Sequence, residues 1–250
     1  MTSLVRLAFA LGLVSLVAGT EFASQLRKCS VDNQNALNTC LKQIMEDLRP
    51  RTKTGIPELG LPVLEPMHIN NIVFQQGDAA VNVQAQFMQV KVQGLSNYTT
   101  SFVNADPRAL TLSVGLKVPE LRVTGHYELK GQVIIFPVTG SGTFWTNLNN
   151  IDASGVGKLS VQQGPDGQDR LRVSDTKINF DIRSISLHLS NLFNGDRVLG
   201  DTVNHFLNQN SQEVLRDVKP EVSRQLNVLI QRVMNDALSQ LPVSSFLVTN

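Results

Sequence analysis

Apolar residues recur every three or four positions between Asp196 and Leu241. This spacing is typical of one face of an α-helix. A continuous helix over this range would be roughly 68 Å long, whereas a compact globule of this chain length is only about 45 Å across. We expect Pro220 and the polar run 208–211 to bend or divide the helix, so that length is an upper limit. The sequence therefore predicts an elongated fold.

A second pattern, with apolar residues at alternate positions, covers much of the chain between residues 81 and 182. It predicts long antiparallel β-strands, with an interruption at Pro119. Near Phe87 and Met88 the alternation shifts by one residue, which predicts a β-bulge. Glycines within the strands favour a curled sheet.

The two patterns together predict an α+β fold, in which a strongly curved antiparallel sheet wraps a long C-terminal helix. A sheet that covers so long an apolar helix face can leave an apolar interior. Such an interior is a place for a lipid.

The N-terminus predicts export. Arg6 precedes an uncharged apolar run over residues 7–17, and small residues follow at 18–20. This order is typical of a secretory signal peptide, and the run is too short to span a bilayer. We expect a signal peptide at 1–19, a single domain at 20–250, and a secreted, extracellular protein with no integral membrane association.

Cys29 and Cys40 are the only cysteines, and in an exported protein they are expected to form a disulfide. The bridge would precede a short helix capped by Asp32 or Asn33 and ended by Pro50. Asn97 begins an Asn-Tyr-Thr triplet, which predicts a site of N-glycosylation.

Charge and motifs exclude several classes of function. The chain carries 22 Lys and Arg residues against 21 Asp and Glu residues, and without a basic run there is no electrostatic reason to expect nucleic acid as a partner. The four histidines are scattered singly, so no metal ligation pattern is present. No Gly-x-Ser-x-Gly motif or phosphate-binding loop occurs. We therefore expect no cofactor, no metal and no enzymatic activity.

Several segments also resemble the takeout and juvenile-hormone-binding-protein family of arthropods. They occur in the family's order and extend over nearly the whole chain after the signal peptide. The segments are the early Cys29 and Cys40 pair, Gly55-Ile56-Pro57-Glu58-Leu59 with Pro62 and Pro66, Val118-Pro119-Glu120-Leu121, Tyr127-Glu128-Leu129-Lys130-Gly131, Phe136-Pro137-Val138-Thr139-Gly140-Ser141-Gly142 and Leu192-Phe193-Asn194-Gly195-Asp196.

The resemblance implies an internal apolar tunnel between sheet and helix. It implies a secreted carrier that binds and transports a small hydrophobic ligand, such as a juvenile-hormone-like terpenoid, a fatty acid or a related lipid. We expect the carrier to be a monomer. A receptor that is not identified is its one further candidate partner.

Large side chains on the predicted inward faces are the candidates to line this tunnel. Tyr127 is the best polar candidate, because a phenol packs its ring and also offers a hydroxyl. On this basis Tyr127→Phe is expected to weaken ligand binding without unfolding the protein. The candidates are Phe87, Phe102, Tyr127, Phe136, Trp145, Phe180, Phe206 and Leu226.

Two other functions stay open at this point. One is a defence protein that binds lipid surfaces or lipopolysaccharide, although the chain has no basic cluster in its sequence to support it. The other is a secreted hydrolase whose Ser, His and Asp residues meet only in the folded chain.

Overall fold

The computed structural model describes residues 22–77, 81–133 and 136–249, so the predicted signal peptide at 1–19 lies outside the described residues. Short 3₁₀ turns occupy Pro57–Leu59, Leu95–Asn97, Phe193–Gly195 and Val243–Ser245. The helices are α1 (Gln34–Thr52), α2 (Arg197–Gln209) and α3 (Ser211–Ser239). The strands are β1 (Cys29–Ser30), β2 (Met67–Gly77), β3 (Val81–Gln93), β4 (Thr99–Asp106), β5 (Thr111–Val133), β6 (Phe136–Gln163), β7 (Asp169–Leu189) and β8 (Leu247–Val248).

One large antiparallel sheet has the strand order β2-β3-β5-β6-β7. Strand β4 pairs with the first part of β5, and β3 pairs with its second part. Strands β5, β6 and β7 are 23, 28 and 21 residues long, so they run through the whole length of the molecule.

Two irregularities in this sheet bear on the predictions. The register of β3 against β5 shifts between Met88 and Lys91, which confirms the predicted bulge close to its predicted place. Pro119 was expected to interrupt a strand, but β5 continues through it. The residue across from Pro119 is Asn150, which takes a left-handed φ of 52° and lies outside the paired register. The backbone pairing of β5 with β6 therefore omits one residue pair at Pro119, which has no N–H to donate.

The C-terminal helix divides at Asn210, which ends α2 and begins α3. Pro220 was a candidate for this division, but it lies within the 29 residues of α3 without ending the helix. The polar run 208–211, the other predicted weak point, is where the chain bends.

Amide side chains join these helices to β7, the edge strand of the sheet. Asn204 accepts a hydrogen bond from the Leu189 N–H at 2.8 Å and donates one to the Leu189 carbonyl at 2.9 Å. Asn235 does the same with Val173, at 2.8 and 3.1 Å. We call this set the amide ladder: Asn204, Asn208, Gln212, Asn227, Gln231 and Asn235.

Helix α3 also touches the opposite edge of the sheet, where Gln225 donates a hydrogen bond to the Val73 carbonyl of β2 at 3.1 Å. The edges of a flat five-stranded sheet would lie about 19 Å apart, whereas a helix with its side chains is only about 10–12 Å wide. One helix reaches both edges because the sheet is strongly curved around it. The predicted α+β fold is confirmed.

The N- and C-terminal segments meet at one end of the molecule. Cys29 and Cys40 form the predicted disulfide, and Asn33 caps α1 by accepting a hydrogen bond from the Ala36 N–H. Helix α1 continues through Pro50 to Thr52, two residues past its predicted end. Strand β8 pairs in parallel with β1, so the end of the described chain closes over this region.

Candidate ligand-binding site

The apolar side of α3 faces the sheet, yet no residue of this helix is fully buried. Leu215 and Leu226 contact the sheet residues around Phe180 and still remain only half-buried. Protein interiors are normally close-packed, so an apolar helix face that lies on a sheet should be buried almost completely. Part of the apolar side of α3 therefore remains accessible.

Buried apolar residues form separate clusters along the molecule instead of one continuous core. At one end the tyrosine cluster contains Val90, Val92, Tyr127, Phe144 and Leu192. The central cluster contains Val118, Ile151, Phe180 and Ile182. Two further clusters, around Leu37 and around Ile56, lie at the disulfide end.

A cavity of about 160 Å³ lies at the disulfide end, between α1, the sheet and the end of α3. We call it the end cavity. Every side chain that lines it is apolar, so it suits hydrocarbon and offers no partner to a polar group. Its volume is close to that of an engineered cavity, about 150 Å³, that holds benzene. The lining residues are Leu26, Leu41, Ile44, Met45, Leu48, Val103, Leu112, Val114, Leu238, Leu241 and Phe246.

Four of the predicted site residues lie on the inner side of the sheet or helix. Phe87 packs against the tyrosine cluster with its ring edge-on to Phe144, at a centroid distance of 5.1 Å, and Tyr127 is in the same cluster. Phe180 lies in the central cluster, and Leu226 of α3 packs against it. The structure therefore brings these four predicted residues together in two pairs. Phe87 and Tyr127 lie at the end of the molecule opposite the disulfide, and Phe180 and Leu226 lie in the middle.

Phe102 and Trp145 lie on the outer side of the sheet, opposite to their expected side. Phe144 occupies the inner face, so Trp145, the next residue along β6, points outward. The adjacent Val103 lines the end cavity, and the ring of Phe102 lies over Gly115. The error arises from the phase of the alternation, since either of two adjacent apolar residues can take the inner face.

Phe206 and Phe136 do not join the two interior pairs. Phe206 is 57% exposed, because α2 packs through Gly200 and Asn204 and not through the phenylalanine. Phe136 begins β6, and its side chain is outside the described part of the structure.

Tyr127 is only 1% exposed, and its hydroxyl donates a hydrogen bond to the Ser190 carbonyl at 2.7 Å. Burial raises the pKa of this phenol above its ordinary value, so it remains neutral and able to donate. A phenol has one hydrogen to donate, and here a backbone carbonyl takes it. This corrects the expectation that the hydroxyl is free to serve as the donor to a ligand.

The residues of the end cavity were missed as site residues. The apolar stripe of α1, including Leu41, Ile44 and Leu48, is visible in the sequence, but the pattern does not say what covers it. Phe246 carried no signal at all, because its place depends on the pairing of β8 with β1.

The described residues also give two further observations about possible chemistry. Within residues 22–77, 81–133 and 136–249, no group of three or more His, Cys, Asp or Glu side chains is placed to hold a metal ion. In the same ranges, no helix is both long and apolar enough to cross a membrane.

Comparison with known proteins finds relatives whose sequences align with most of this chain. The circadian clock-controlled protein daywake of Drosophila melanogaster is 25% identical over 247 residues, which cover 94% of each chain. A putative beta-carotene-binding protein of Schistocerca gregaria is 24% identical over 191 residues, 75% of each chain.

The fold also matches a solved structure. The crystal structure of Epiphyas postvittana Takeout 1 aligns with a TM-score of 0.76 at 24% identity, over 88% of this chain and 99% of that one. The sequence profile of the haemolymph juvenile hormone binding protein (JHBP) family matches residues 7–248. The chain therefore belongs to the haemolymph juvenile hormone binding protein family.

Proposed function

We propose that this chain is a secreted carrier that binds one small hydrophobic ligand in an apolar tunnel between the sheet and α3. The observation that carries the proposal is the accessible apolar side of α3, which faces the sheet and has no buried residue. The end cavity supports it, because its entirely apolar lining suits one end of such a ligand.

Apolar burial supplies enough free energy for this function. A ligand of about 15 carbons gains on the order of 12 kcal/mol at roughly 0.8 kcal/mol for each buried CH₂ group. Association costs about 4–15 kcal/mol. Micromolar to nanomolar binding is attainable without a charged contact, and the proposal includes no catalytic step.

The family name and one relative favour an isoprenoid ligand. The family is named for the binding of juvenile hormone, and the Schistocerca gregaria relative is named as a putative binder of beta-carotene. Juvenile hormones and carotenoids are both built from isoprene units, which makes a terpenoid the first candidate and a fatty acid the second.

The proposal includes export of a single domain at 20–250 after removal of the signal peptide at 1–19. The disulfide supports it, because such bonds persist in oxidising compartments. Asn97 is exposed in the turn between β3 and β4, where a glycan meets no steric obstacle from the core. Expression in a eukaryotic secretory host should give protein in the medium, and Asn97→Gln should remove its glycan mass.

The first test is native mass spectrometry of the secreted protein, followed by organic extraction. We expect one stoichiometric isoprenoid or fatty acid for each chain. Protein that is empty and also refuses a panel of farnesol, retinol, beta-carotene and oleate would contradict the proposal. Flotation of the empty protein with liposomes would then favour the lipid-surface alternative, and turnover of ester substrates would favour the hydrolase.

A matched pair of variants tests the place of the ligand. Val114→Phe puts a larger side chain into the end cavity, whereas Val156→Phe makes the same change on the adjacent strand, where Val156 is exposed. Binding of the neutral dye N-phenyl-1-naphthylamine should weaken at least fivefold in the first variant and remain unchanged in the second. Equal affinities for the two variants would remove the end cavity from the proposed site.

A further inference from the structure

Five residues from five adjacent strands form a row across the outer face of the sheet. Each member is the direct cross-strand partner of the next, so their side chains lie on the same face. The adjacent Val90, Val92, Val123 and Phe144 point inward to the tyrosine cluster. In strand order the outer row is His68, Lys91, Thr124, Trp145 and His188.

A concave depression of about 630 Å³ is lined by the first four members of this row, from His68 to Trp145. The bulge of β3 is at its floor, where Gln89 takes a left-handed φ of 51°. Bulges bend a strand and redirect side chains, so the bulge accounts for a hollow in the outer face, which Lys91 and His126 both line. The cavity is large enough for a small organic molecule.

The depression is cationic and its charges are uncompensated. Lys91 and Arg122 both line it. Within the described ranges no carboxylate lies within ion-pairing distance of either one, whereas nearby Lys130 is paired with Glu128. His68 and His126 add imidazole donors to the lining. An anionic group would find donors here and no competing carboxylate partner.

Trp145 gives the depression a flat apolar surface. Its ring stacks on His188 with a centroid distance of 6.1 Å and an interplanar angle of 24°, and the residue is 37% exposed. Thr124 lies directly opposite Trp145, and Arg122 is the diagonal neighbour, about 7–8 Å away in such pairs. An open indole face beside cations suits a ring that carries negative charge.

We propose that this depression is a second binding site, which takes a small organic anion: a flat ring that carries a phosphate, sulfate or carboxylate group. The ring stacks on Trp145, and Lys91 and Arg122 hold the anionic group. Two strand spacings, about 10 Å, separate the backbones of Lys91 and Trp145, with Thr124 between them, so one ligand with a ring and an anionic group can contact both side chains. The site is on the opposite face of the sheet from the proposed tunnel, so it is independent of the interior ligand.

Trp145 makes the test specific, because it is the only tryptophan of the chain. Its indole N–H gives a single tryptophan side-chain signal in a ¹⁵N–¹H correlation spectrum. Phenyl phosphate should shift this signal saturably, with a dissociation constant at least tenfold below those of phenol and inorganic phosphate. Equally tight binding of phenol or of phosphate alone would overturn the proposal, because one of the two contacts would then be unnecessary.

Paired charge variants test the two cations. Lys91→Gln with Arg122→Gln should weaken phenyl phosphate binding at least tenfold, and each single change should weaken it less. Lys177→Gln with Arg183→Gln removes the same charge from exposed positions of β7 and should leave the affinity unchanged. Retained binding in the first pair, or the same loss in both pairs, would contradict the assignment.

The interior ligand provides the final control. Saturation with farnesol, which is uncharged, should leave the Trp145 titration with phenyl phosphate unchanged. Competition between the two would place phenyl phosphate in the interior and overturn the second site. If the protein refuses farnesol but retains the Trp145 response, only the carrier proposal fails.

Discussion

The hydroxyl of Tyr127 joins two parts of the chain at the residue scale. It connects β5 to the Ser190 carbonyl, just after β7, and it packs against Gly140, where an added Cβ would lie 2.8 Å from the phenol oxygen. A side chain so closely surrounded contributes to stability whether or not a ligand is present.

Tyr127→Phe should lower the free energy of unfolding by about 1 kcal/mol, the ordinary net contribution of one hydrogen bond. Ligand affinity should change less than threefold, because the lost donor faces Ser190. Urea unfolding and dye titration measure the two effects. Tyr98→Phe is the matched control, since Tyr98 is half-buried and its phenol is not among the hydrogen-bond donors found in the described structure. Weaker ligand binding with unchanged stability in Tyr127→Phe would instead support the original prediction that Tyr127 is a polar contact to the ligand.

Glu46 connects α1 to the edge strand β4 through one carboxylate. The Thr100 N–H donates to its Oε1 at 2.8 Å, and Arg49 lies 3.3 Å from its Oε2. The hydrogen bond from the Thr100 backbone, with a smaller contribution from Arg49, lowers the pKa of Glu46 below its ordinary value.

A lowered pKa fixes the sign of the pH dependence. The folded state holds the charged carboxylate more favourably than the unfolded state, so the stabilisation is complete above the unfolded pKa and is lost as pH falls through the folded one. Glu46→Gln should therefore lower the melting temperature at pH 7, and the difference from the unchanged protein should narrow below about pH 4.3. Glu120→Gln, at an exposed position of β5, should show no such trend in thermal unfolding.

At the scale of elements, the amide ladder explains how the helices are fixed to the sheet. The N–H and C=O groups along the free edge of β7 have no neighbouring strand. Asn and Gln side chains present both a donor and an acceptor, so they substitute for that strand. The attachment is polar, which leaves the apolar stripe of α3 to face the interior.

Asn235→Ala should lower the free energy of unfolding by about 2 kcal/mol. Val173 is completely buried, and the change leaves its N–H without the Asn235 acceptor, at about 1–3 kcal/mol for one buried group. The Val173 carbonyl keeps the hydrogen bond that Gln231 donates at 3.2 Å. Arg232→Ala, at an exposed position of the same helix, is the control and should cost less than 1 kcal/mol. Guanidinium unfolding measures both changes. Similar losses in the free energy of unfolding for the two variants would show that the amide ladder is not what fixes α3.

The sequence predicted elements better than it predicted which way their side chains point. Alternation and helical spacing revealed the long strands, the bulge near Met88 and the C-terminal helices, because each is repeated over many residues. The division at Asn210 falls in the polar run 208–211, one of the two places predicted for a bend, whereas α3 continues through Pro220, the other one. The amides at 204, 208 and 212, and again at 227, 231 and 235, are spaced by four residues and were a signal for the ladder.

Site residues were harder to predict because a one-residue error in phase inverts a strand. The adjacent Phe144 and Trp145 are both large and apolar, so the sequence alone does not decide which of them points inward. Phe102 lies beside the register shift between β4 and β5, where a simple count of alternation fails. Phe180 and Leu226 lie in regular stretches, and Phe87 lies just before the register shift of β3; the predicted inner placement of all three agrees with the structure.

At the scale of the whole molecule, both termini of the described chain close the same end. The Cys29 N–H donates to the Phe246 carbonyl at 2.8 Å, and the Phe246 side chain lines the end cavity. The disulfide holds Cys29 beside α1, so the closing segment is attached to two elements. This end of the interior is therefore covered by the chain's own C-terminal segment.

Removal of residues 246–250 should open the end cavity to solvent. We expect a bound neutral dye to dissociate at least fivefold faster, as measured by stopped-flow fluorescence, because one wall of the cavity is lost. Removal of residues 249–250 alone is the control, since neither Phe246 nor β8 is touched. Identical dissociation rates for the two truncations would show that the ligand does not use this end.

The amide ladder also affects how these molecules behave toward one another. An uncovered edge strand offers its backbone as a template for a strand from another molecule, which is a common start of aggregation. The side chains of α2 and α3 occupy these positions along β7, so neighbouring copies cannot extend the sheet from that edge. The 21-residue edge strand β7 therefore remains unavailable for polymerisation even at high protein concentration.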